Sequence, residues 1–135
     1  MKDKIVLEGG CLCGKLRYQI SALPFAADYC HCVHCQKISG APVMAWMDFK
    51  SDQVTWLEGH LREYASSATV RRGFCADCGA TLSFRHLAHP AYLTLAIVSL
   101  DAPDRVAPTY HIYTDHQRHG CHLQDDLPRF SQGQV

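Results

Sequence analysis

The sequence predicts an all-β fold of short antiparallel strands, and two observations support this prediction. About ten short runs rich in branched and aromatic residues are separated by glycine, proline, serine or aspartate turn signals. Only one segment, 33–39, has the pattern of a short helical turn, because it is followed at once by Gly40 and then by Pro42. A chain of 135 residues without internal repeats, low-complexity tracts or linkers is predicted to form a single domain, 1–135.

The strands are placed by where these runs begin and end. Leu16, Tyr18 and Ile20 alternate with Arg17 and Gln19, which is typical of a strand with one buried face. The helical turn follows a cysteine-rich loop, and residues 116–135 are interpreted as a C-terminal tail. The predicted strands cover residues 5–8, 15–20, 25–30, 43–49, 54–57, 61–64, 70–74, 81–86, 92–100 and 109–114.

Composition and charge argue against two classes of partner. The 13 lysines and arginines balance the 13 aspartates and glutamates, so no basic surface for nucleic acid is expected. The most apolar run, 92–100, is too short to span a bilayer, and residues 1–10 lack the apolar centre of a secretory signal. We therefore expect a cytoplasmic protein with no nucleic acid and no membrane partner. In that reducing compartment, clustered cysteines are more often metal ligands than disulfides.

Four of the eight cysteines form two close pairs, each followed directly by a glycine. One residue separates Cys11 from Cys13, and two separate Cys75 from Cys78. A glycine there permits the positive φ that brings backbone N–H groups toward the sulfurs. The two pairs complete the four thiolates of a structural zinc site, which stabilises a fold by about 10–16 kcal/mol of apparent binding energy. Disulfides are the alternative, but Cys11 and Cys13 share one face of an extended segment and cannot easily bridge each other.

Three further cysteines, Cys30, Cys32 and Cys35, lie within six residues. Three thiolates leave the fourth position of a zinc ion open to a water or a thiol, so this site is predicted to be catalytic. Zinc deprotonates a bound thiol and polarises a carbonyl oxygen, and both effects suit chemistry between a thiol and an aldehyde. The alternative is a second structural zinc, whose fourth ligand would be one of three residues: His31, His34 or Cys121.

The residues after this loop are the candidates for lining a substrate pocket. Gln36, Lys37 and Ser39 follow the third cysteine directly and are predicted to contact the substrate. Lys37 would attract a carboxylate of the thiol or protonate a developing alkoxide, and a solvated surface lysine is the alternative interpretation. Arg71 and Arg72 are interpreted as an exposed strand edge.

Seven cysteines fall in a fixed order with their flanking residues, over nearly the whole chain. The runs are Gly9-Gly10-Cys11-Leu12-Cys13-Gly14, Arg17-Tyr18, Cys30-His31-Cys32, Cys35-Gln36-Lys37, Ser39-Gly40, Pro42, Phe74-Cys75, Cys78-Gly79, His111-Ile112-Tyr113 and Asp126-Leu127-Pro128-Arg129-Phe130. This pattern resembles the glutathione-dependent formaldehyde-activating enzyme family, in which centromere protein V is also placed.

The resemblance implies a β-tent zinc-binding fold with two Zn²⁺ ions, one structural and one catalytic. It implies that the structural ion is held by Cys11, Cys13, Cys75 and Cys78, and the catalytic ion by Cys30, Cys32 and Cys35. The implied activity is that of a carbon–sulfur lyase forming S-hydroxymethylglutathione from formaldehyde and glutathione. The chain departs from the family where members commonly carry a Pro-Trp-like pair, since it reads Arg118-His119-Gly120-Cys121-His122. We expect this difference to affect the substrate rather than the fold.

Three functions are consistent with these features. The first is an enzyme that joins glutathione or another small thiol to a small aldehyde, or cleaves the adduct. The second is a carrier that binds such a thiol without transforming it. The third is a chromosome-associated scaffold, as in a eukaryotic branch of the family, but the chain lacks the basic extension such a role requires. No pattern in the sequence fixes an oligomeric state.

Overall fold

The computed structural model describes residues 4–133, so the first three and last two residues of the predicted domain lie outside the described residues. The predicted all-β fold is confirmed. The elements are β1 Leu7–Gly10, β2 Arg17–Ile20, β3 Ala26–Cys30, α1 Val33–Ser39, β4 Met44–Lys50, β5 Val54–Glu58, β6 Arg62–Ala65, β7 Val70–Phe74, β8 Thr81–His86, β9 Tyr92–Ala96 and β10 Tyr110–Ile112. Short 3₁₀ turns cover Ser51–Gln53, Ile97–Ser99, Pro103–Arg105 and Thr114–His116.

The strands form two sheets. A three-stranded sheet has the order β1-β2-β5, and a seven-stranded sheet has the order β10-β3-β4-β9-β8-β7-β6. The pairs are antiparallel except for β10, which lies parallel to β3 and so differs from the predicted antiparallel pattern. β9 and β3 both lie antiparallel to β4 and so run in the same direction. Residues 97–109 carry the chain from β9 across to the far side of β3, and β10 therefore pairs there in a parallel arrangement.

The two faces of the large sheet have different neighbours because successive side chains of a strand point to opposite sides. One face packs against the small sheet to form the main core. Tyr18 is fully buried there, and its hydroxyl oxygen lies 2.6 Å from the hydroxyl oxygen of Ser99. The buried residues of this core are Leu7, Tyr18, Ile20, Ala27, Met47, Phe49, Leu95, Ile97, Leu100 and Val106. The opposite face of the large sheet is therefore left to carry a site.

The helix α1 has the predicted bounds, and its two ends show why. The Cys32 sulfur accepts a hydrogen bond from the Cys35 amide at 3.2 Å and caps the start of the helix. Gly40 ends it with a φ of 69°, while its N–H donates to the Gln36 carbonyl. Within residues 4–133 no helix has the length and apolar character needed to cross a membrane.

The predicted strand 92–100 is wrong in its second half, because β9 ends at Ala96. The Ser99 hydroxyl donates to the Ala96 carbonyl at 2.7 Å, and the Leu100 amide donates to Ile97. These bonds turn the chain into a 3₁₀ helix that still buries Ile97 in the core. Apolar side chains therefore continue past the end of the strand, which is why the pattern of the sequence overextends it.

Candidate zinc sites and the cavity beside the second

The four paired cysteines meet where two hairpin turns approach each other. The β1–β2 turn supplies Cys11 and Cys13, and the β7–β8 turn supplies Cys75 and Cys78. All four sulfurs lie within 4.8 Å of one another, with 3.6 Å between Cys11 and Cys13 and 3.8 Å between Cys13 and Cys75. Four sulfurs so placed suit a tetrahedral metal ion, which would join the small sheet to the large one.

Backbone amides support these sulfurs in the way the glycines predict. Gly14 and Gly79 have φ values of 83° and 77°, so both turns adopt the left-handed conformation that glycine favours. The Leu16 amide donates to the Cys11 sulfur at 3.3 Å. A backbone hydrogen bond from Ala80 lowers the pKa of Cys78 to about 6. These contacts favour thiolates, which are the form that binds a metal.

The second cluster comes from a single loop. Cys30 ends β3, Cys32 caps α1 and Cys35 lies in its first turn, and the three sulfurs lie within 4.8 Å of one another. The Cys35 sulfur accepts a hydrogen bond from the Trp46 indole at 3.4 Å, and the Arg72 guanidinium lies 3.6 Å away. Both donors fit a charged sulfur, so the residues present suit a thiolate-bound metal ion.

The thiols of this cluster depend on each other for their charge. A hydrogen bond from Cys30, then one from Cys35, lowers the pKa of Cys32 to about 2. Hydrogen bonding to Cys32 and Cys35, followed by burial, raises the pKa of Cys30 above its ordinary value. Three thiolates so close together need a cation between them, which is a further reason that the cluster suits a metal.

Among residues 4–133, no further cysteine, histidine or carboxylate oxygen joins the three sulfurs within 4.8 Å. The His31 ring is buried elsewhere, with Nε2 2.9 Å from His111 Nδ1. His34 is exposed at the rim of the neighbouring cavity. Cys121 is buried in the C-terminal segment and lies in neither cluster. The geometry therefore brings three protein ligands together here and does not supply the fourth that a closed site needs.

The three sulfurs open into a cavity of about 740 Å³. Its floor is the second face of the seven-stranded sheet, because the pairings of β10, β3, β4, β9, β8 and β7 place side chains from all six strands on that side. A volume of this size accommodates a small organic ligand. The floor residues include Asp28, Trp46, Asp48, Arg72, Phe84, Thr94, Tyr110 and Ile112.

Arg72 is the main correction to the sequence analysis at this site. It was interpreted as part of an exposed strand edge, yet only 5% of it is exposed. Its Nε donates to the Ser66 hydroxyl at 3.2 Å, and its guanidinium carbon lies 5.1 Å from the centre of the Phe84 ring. The interpretation failed because β6 pairs with β7, so β7 is not an edge strand, and because the face of β7 that carries Arg72 lines the cavity. Arg72 thus places a positive charge beside the Cys35 sulfur.

Two carboxylates on the cavity floor were also missed. Burial, then the charge of Asp48, raises the pKa of Asp28 to about 7. Burial likewise raises the pKa of Asp48, although a 2.7 Å hydrogen bond from the Thr94 hydroxyl opposes this shift. Their position in a run of alternating residues is visible in the sequence, but the face to which they point is not.

The predicted substrate contacts lie outside the cavity lining. The Gln36 amide donates to the backbone carbonyls of His31 and His116, at 2.7 and 3.0 Å. The Ser39 hydroxyl donates to the Cys35 carbonyl at 2.7 Å at the end of α1, and Lys37 is exposed. The structure thus gives Gln36 and Ser39 roles in holding the loop, and places none of the three beside the sulfurs on the cavity side.

Tyr113 has the one positive φ, 54°, among the non-glycine residues that the structure describes. Its ring packs against the buried cysteines and lines the cavity, and burial, then the charge of Cys30, raises the pKa of its hydroxyl. A left-handed tyrosine is strained, and strain of this kind is concentrated at functional sites.

Comparison with known families identifies the pattern of cysteines. Residues 6–116 match the family described as glutathione-dependent formaldehyde-activating enzyme. The chain belongs to this family. The matched region contains both cysteine clusters and ends before the segment Arg118-His119-Gly120-Cys121-His122, in which the sequence departs from the family pattern.

Two individual proteins extend this comparison. The chain is 33% identical over 79 residues to a Schizosaccharomyces pombe protein described as an uncharacterized lyase. The match covers 58% of this chain and 57% of that relative, so the chain spans little more than half of the length of the relative. The crystal structure of a Rhodobacter sphaeroides protein is similar with a TM-score of 0.61 and 19% identity, covering 76% of this chain and 92% of that one. This second similarity concerns the fold alone, because the two sequences are only 19% identical.

Proposed function

We propose that the protein is a zinc-dependent lyase-type enzyme that joins a small thiol, glutathione or a similar one, to a small aldehyde, or cleaves an adduct such as S-hydroxymethylglutathione. The observation that carries the proposal is the cluster of Cys30, Cys32 and Cys35, whose three sulfurs open into a cavity and are joined by no fourth ligand among residues 4–133. Family membership and the similarity to a protein named as a lyase agree with it.

The reaction requires little rearrangement of atoms. The thiol sulfur adds to the carbonyl carbon, a C–S bond forms, the C=O double bond becomes a single bond, and the thiol proton ends on the oxygen. No electrons are gained or lost, and the reverse sequence cleaves the adduct. A zinc ion held by the three cysteines would supply a Lewis acid that keeps a bound thiol deprotonated at neutral pH.

The residues of the chain supply the rest of the site. Arg72 lies next to the Cys35 sulfur, so its charge is placed to stabilise the oxygen on which negative charge develops. Trp46 and Phe84 are aromatic residues of the cavity floor. Apolar surface of this kind lowers the local dielectric, which strengthens the electrostatic effect of the guanidinium. The catalytic assignment of the three cysteines and the presence of zinc at both clusters are part of this proposal, as is a cytoplasmic location.

The proposal is tested first by binding. Native mass spectra of the zinc-loaded protein are recorded during a titration with glutathione, beside the Cys32→Ser variant. Serine retains an oxygen that caps the helix, so this variant is expected to fold. We expect two zinc ions and one saturably bound glutathione in the native protein, and one zinc with no bound glutathione in the variant. Two zinc ions without any glutathione binding would contradict an open thiol site.

A second measurement separates an enzyme from a carrier, the alternative that uses the same open site. Exchange spectroscopy by NMR measures the rate at which glutathione and formaldehyde interconvert with their adduct. An enzyme raises this rate above the spontaneous rate, and Cys32→Ser abolishes the increase. A carrier binds the thiol and leaves the rate unchanged, which would refute the catalytic proposal while retaining the binding site.

A further inference from the structure

The floor of the cavity carries two carboxylates on neighbouring strands. In the antiparallel pairing of β3 with β4, Asp28 lies opposite Trp46, and Asp48 lies opposite Ala26. Asp28 and Asp48 are therefore diagonal neighbours on one face of the sheet, a relation in which the Cα atoms lie about 7–8 Å apart. Both line the same cavity as the three cysteines.

One oxygen of this pair lacks a partner, although the Tyr110 hydroxyl makes a hydrogen bond to the Asp28 carboxylate. Asp28 is 5% exposed, and its Oδ1 atom has no hydrogen-bond partner among the described residues. Asp48 has one oxygen satisfied by the Thr94 hydroxyl at 2.7 Å. A buried carboxylate oxygen without a partner is costly, so an unpaired oxygen that faces a cavity indicates a ligand that donates to it.

The positive charges of the site do not fill this role. Arg72 is directed to the Cys35 sulfur and to Ser66, at 3.6 and 3.2 Å. No lysine lines the cavity in the part of the chain that the structure describes. The region around Asp28 and Asp48 thus offers neighbouring carboxylate acceptors, and a primary ammonium group supplies three donors together with the positive charge that two adjacent carboxylates favour.

We propose that Asp28 and Asp48 form a subsite for a primary ammonium group carried by the substrate thiol. This inference rests on the proposed function, because it assumes that the substrate sulfur lies at the cysteine cluster. Asp28 precedes Cys30 by two residues on β3, a separation of about 7 Å along a strand. The sulfur and ammonium group of glutathione can lie this far apart. Those of a short aminothiol lie closer together, so such a ligand would have to place both groups between the two residues.

The test compares thiols that differ in the ammonium group. Cysteamine and 2-mercaptoethanol have the same number of heavy atoms, with an ammonium in the first and a hydroxyl in the second. Glutathione and N-acetylglutathione form the second pair, which tests the same group on a larger thiol. Dissociation constants are measured by calorimetry with the zinc-loaded native protein and three variants: Asp28→Asn, Asp48→Asn and the exposed control Asp104→Asn.

We expect the native protein to bind the ammonium member of at least one pair about tenfold more tightly, as a charge-assisted hydrogen bond provides. Each cavity variant should reduce that preference to near unity, whereas Asp104→Asn should retain it. The change in preference between protein forms is decisive, because the paired thiols also differ in acidity. Which pair responds shows whether the ammonium group belongs to a short aminothiol or to a peptide thiol.

The outcomes separate this inference from the function on which it rests. Equal binding of both members of each pair to the native protein overturns the ammonium subsite and leaves the thiol site intact. A preference that survives in Asp28→Asn and Asp48→Asn also overturns it, since the preference then arises from thiol acidity alone. Failure of all four thiols to bind overturns the proposed function together with the subsite.

Discussion

The two cysteine clusters use the same ligand atoms but occupy different surroundings. The sulfurs of the four-cysteine cluster come from residues 11–13 in a turn of the small sheet and from residues 75–78 in a turn of the large sheet. This cluster therefore links the two sheets. The three-cysteine cluster comes from one loop, residues 30–35, and faces a cavity. From this comparison we expect the cluster that connects the sheets to stabilise the fold, and the cluster held by a single loop to be available for chemistry.

The largest effect is expected from breaking the first cluster. Cys78→Ser removes one of four thiolates, so zinc binding there is lost together with the link between the sheets. A structural zinc site provides about 10–16 kcal/mol of apparent binding energy, which equals or exceeds the whole stability of a typical domain. We expect the variant to be unfolded or insoluble at 25 °C, as measured by circular dichroism and thermal unfolding.

Cys121→Ser is the matched control for this prediction. Cys121 is 8% exposed, so it is buried, but its sulfur belongs to neither cluster. The control should fold, bind two zinc ions and lose only about 1 kcal/mol of stability, as is common for point substitutions. A folded Cys78→Ser protein with normal thermal stability would show that the four-cysteine cluster does not hold the sheets together.

The next effect tests the other half of the comparison. Cys32→Ser removes a ligand of the second cluster but keeps a side-chain acceptor for the Cys35 amide at the start of α1. We expect the zinc content to fall from two ions to one, with the circular dichroism spectrum and the melting temperature nearly unchanged. Metal analysis and thermal unfolding measure both quantities. Unfolding of this variant would mean that both clusters are structural, against the distinction drawn above.

Features carried by neighbouring residues in the sequence were predictable. The helix from Val33 to Ser39 follows from its cap and from Gly40, and the cysteine clusters follow from their spacing. The floor of the cavity was not predictable, because six strands meet there in an order that differs from their order in the chain. Strand alternation shows that Asp28 and Arg72 each point to one side of a strand, but only the pairing shows that both sides face one cavity.

An intermediate effect is expected at Arg72. Arg72→Gln removes the charge beside the Cys35 sulfur while retaining a polar side chain in the cavity. If the guanidinium stabilises the developing oxyanion, kcat should fall roughly 10- to 100-fold, with a smaller change in thiol binding. Arg71→Gln removes the same charge from the opposite face of β7 and is the control. An unchanged kcat in the exchange measurement would exclude Arg72 from the chemistry.

The smallest effect concerns how the second cluster is supported from outside its loop. His31, which lies between two of the cysteines, has Nε2 2.9 Å from His111 Nδ1, and His111 Nε2 lies 3.0 Å from an Asp125 oxygen. Burial acts to raise the pKa of Asp125, but the hydrogen bonds from His111 and from the Leu127 amide hold it below its ordinary value. This interaction therefore stabilises the fold above the unfolded-state pKa of Asp125, and its contribution is lost as pH falls through the folded-state pKa.

Asp125→Asn should loosen the C-terminal segment at neutral pH without removing either zinc ion. The amide of Phe130 donates to the His111 carbonyl at 2.9 Å, so its hydrogen exchange reports on this contact. We expect that amide to exchange up to about tenfold faster in the variant. Asp126→Asn changes the adjacent exposed carboxylate and should leave the rate unaltered. Equal exchange in the two variants would mean that Asp125 does not hold the C-terminal segment against His111, and that the support of the three-cysteine loop from outside does not depend on this carboxylate.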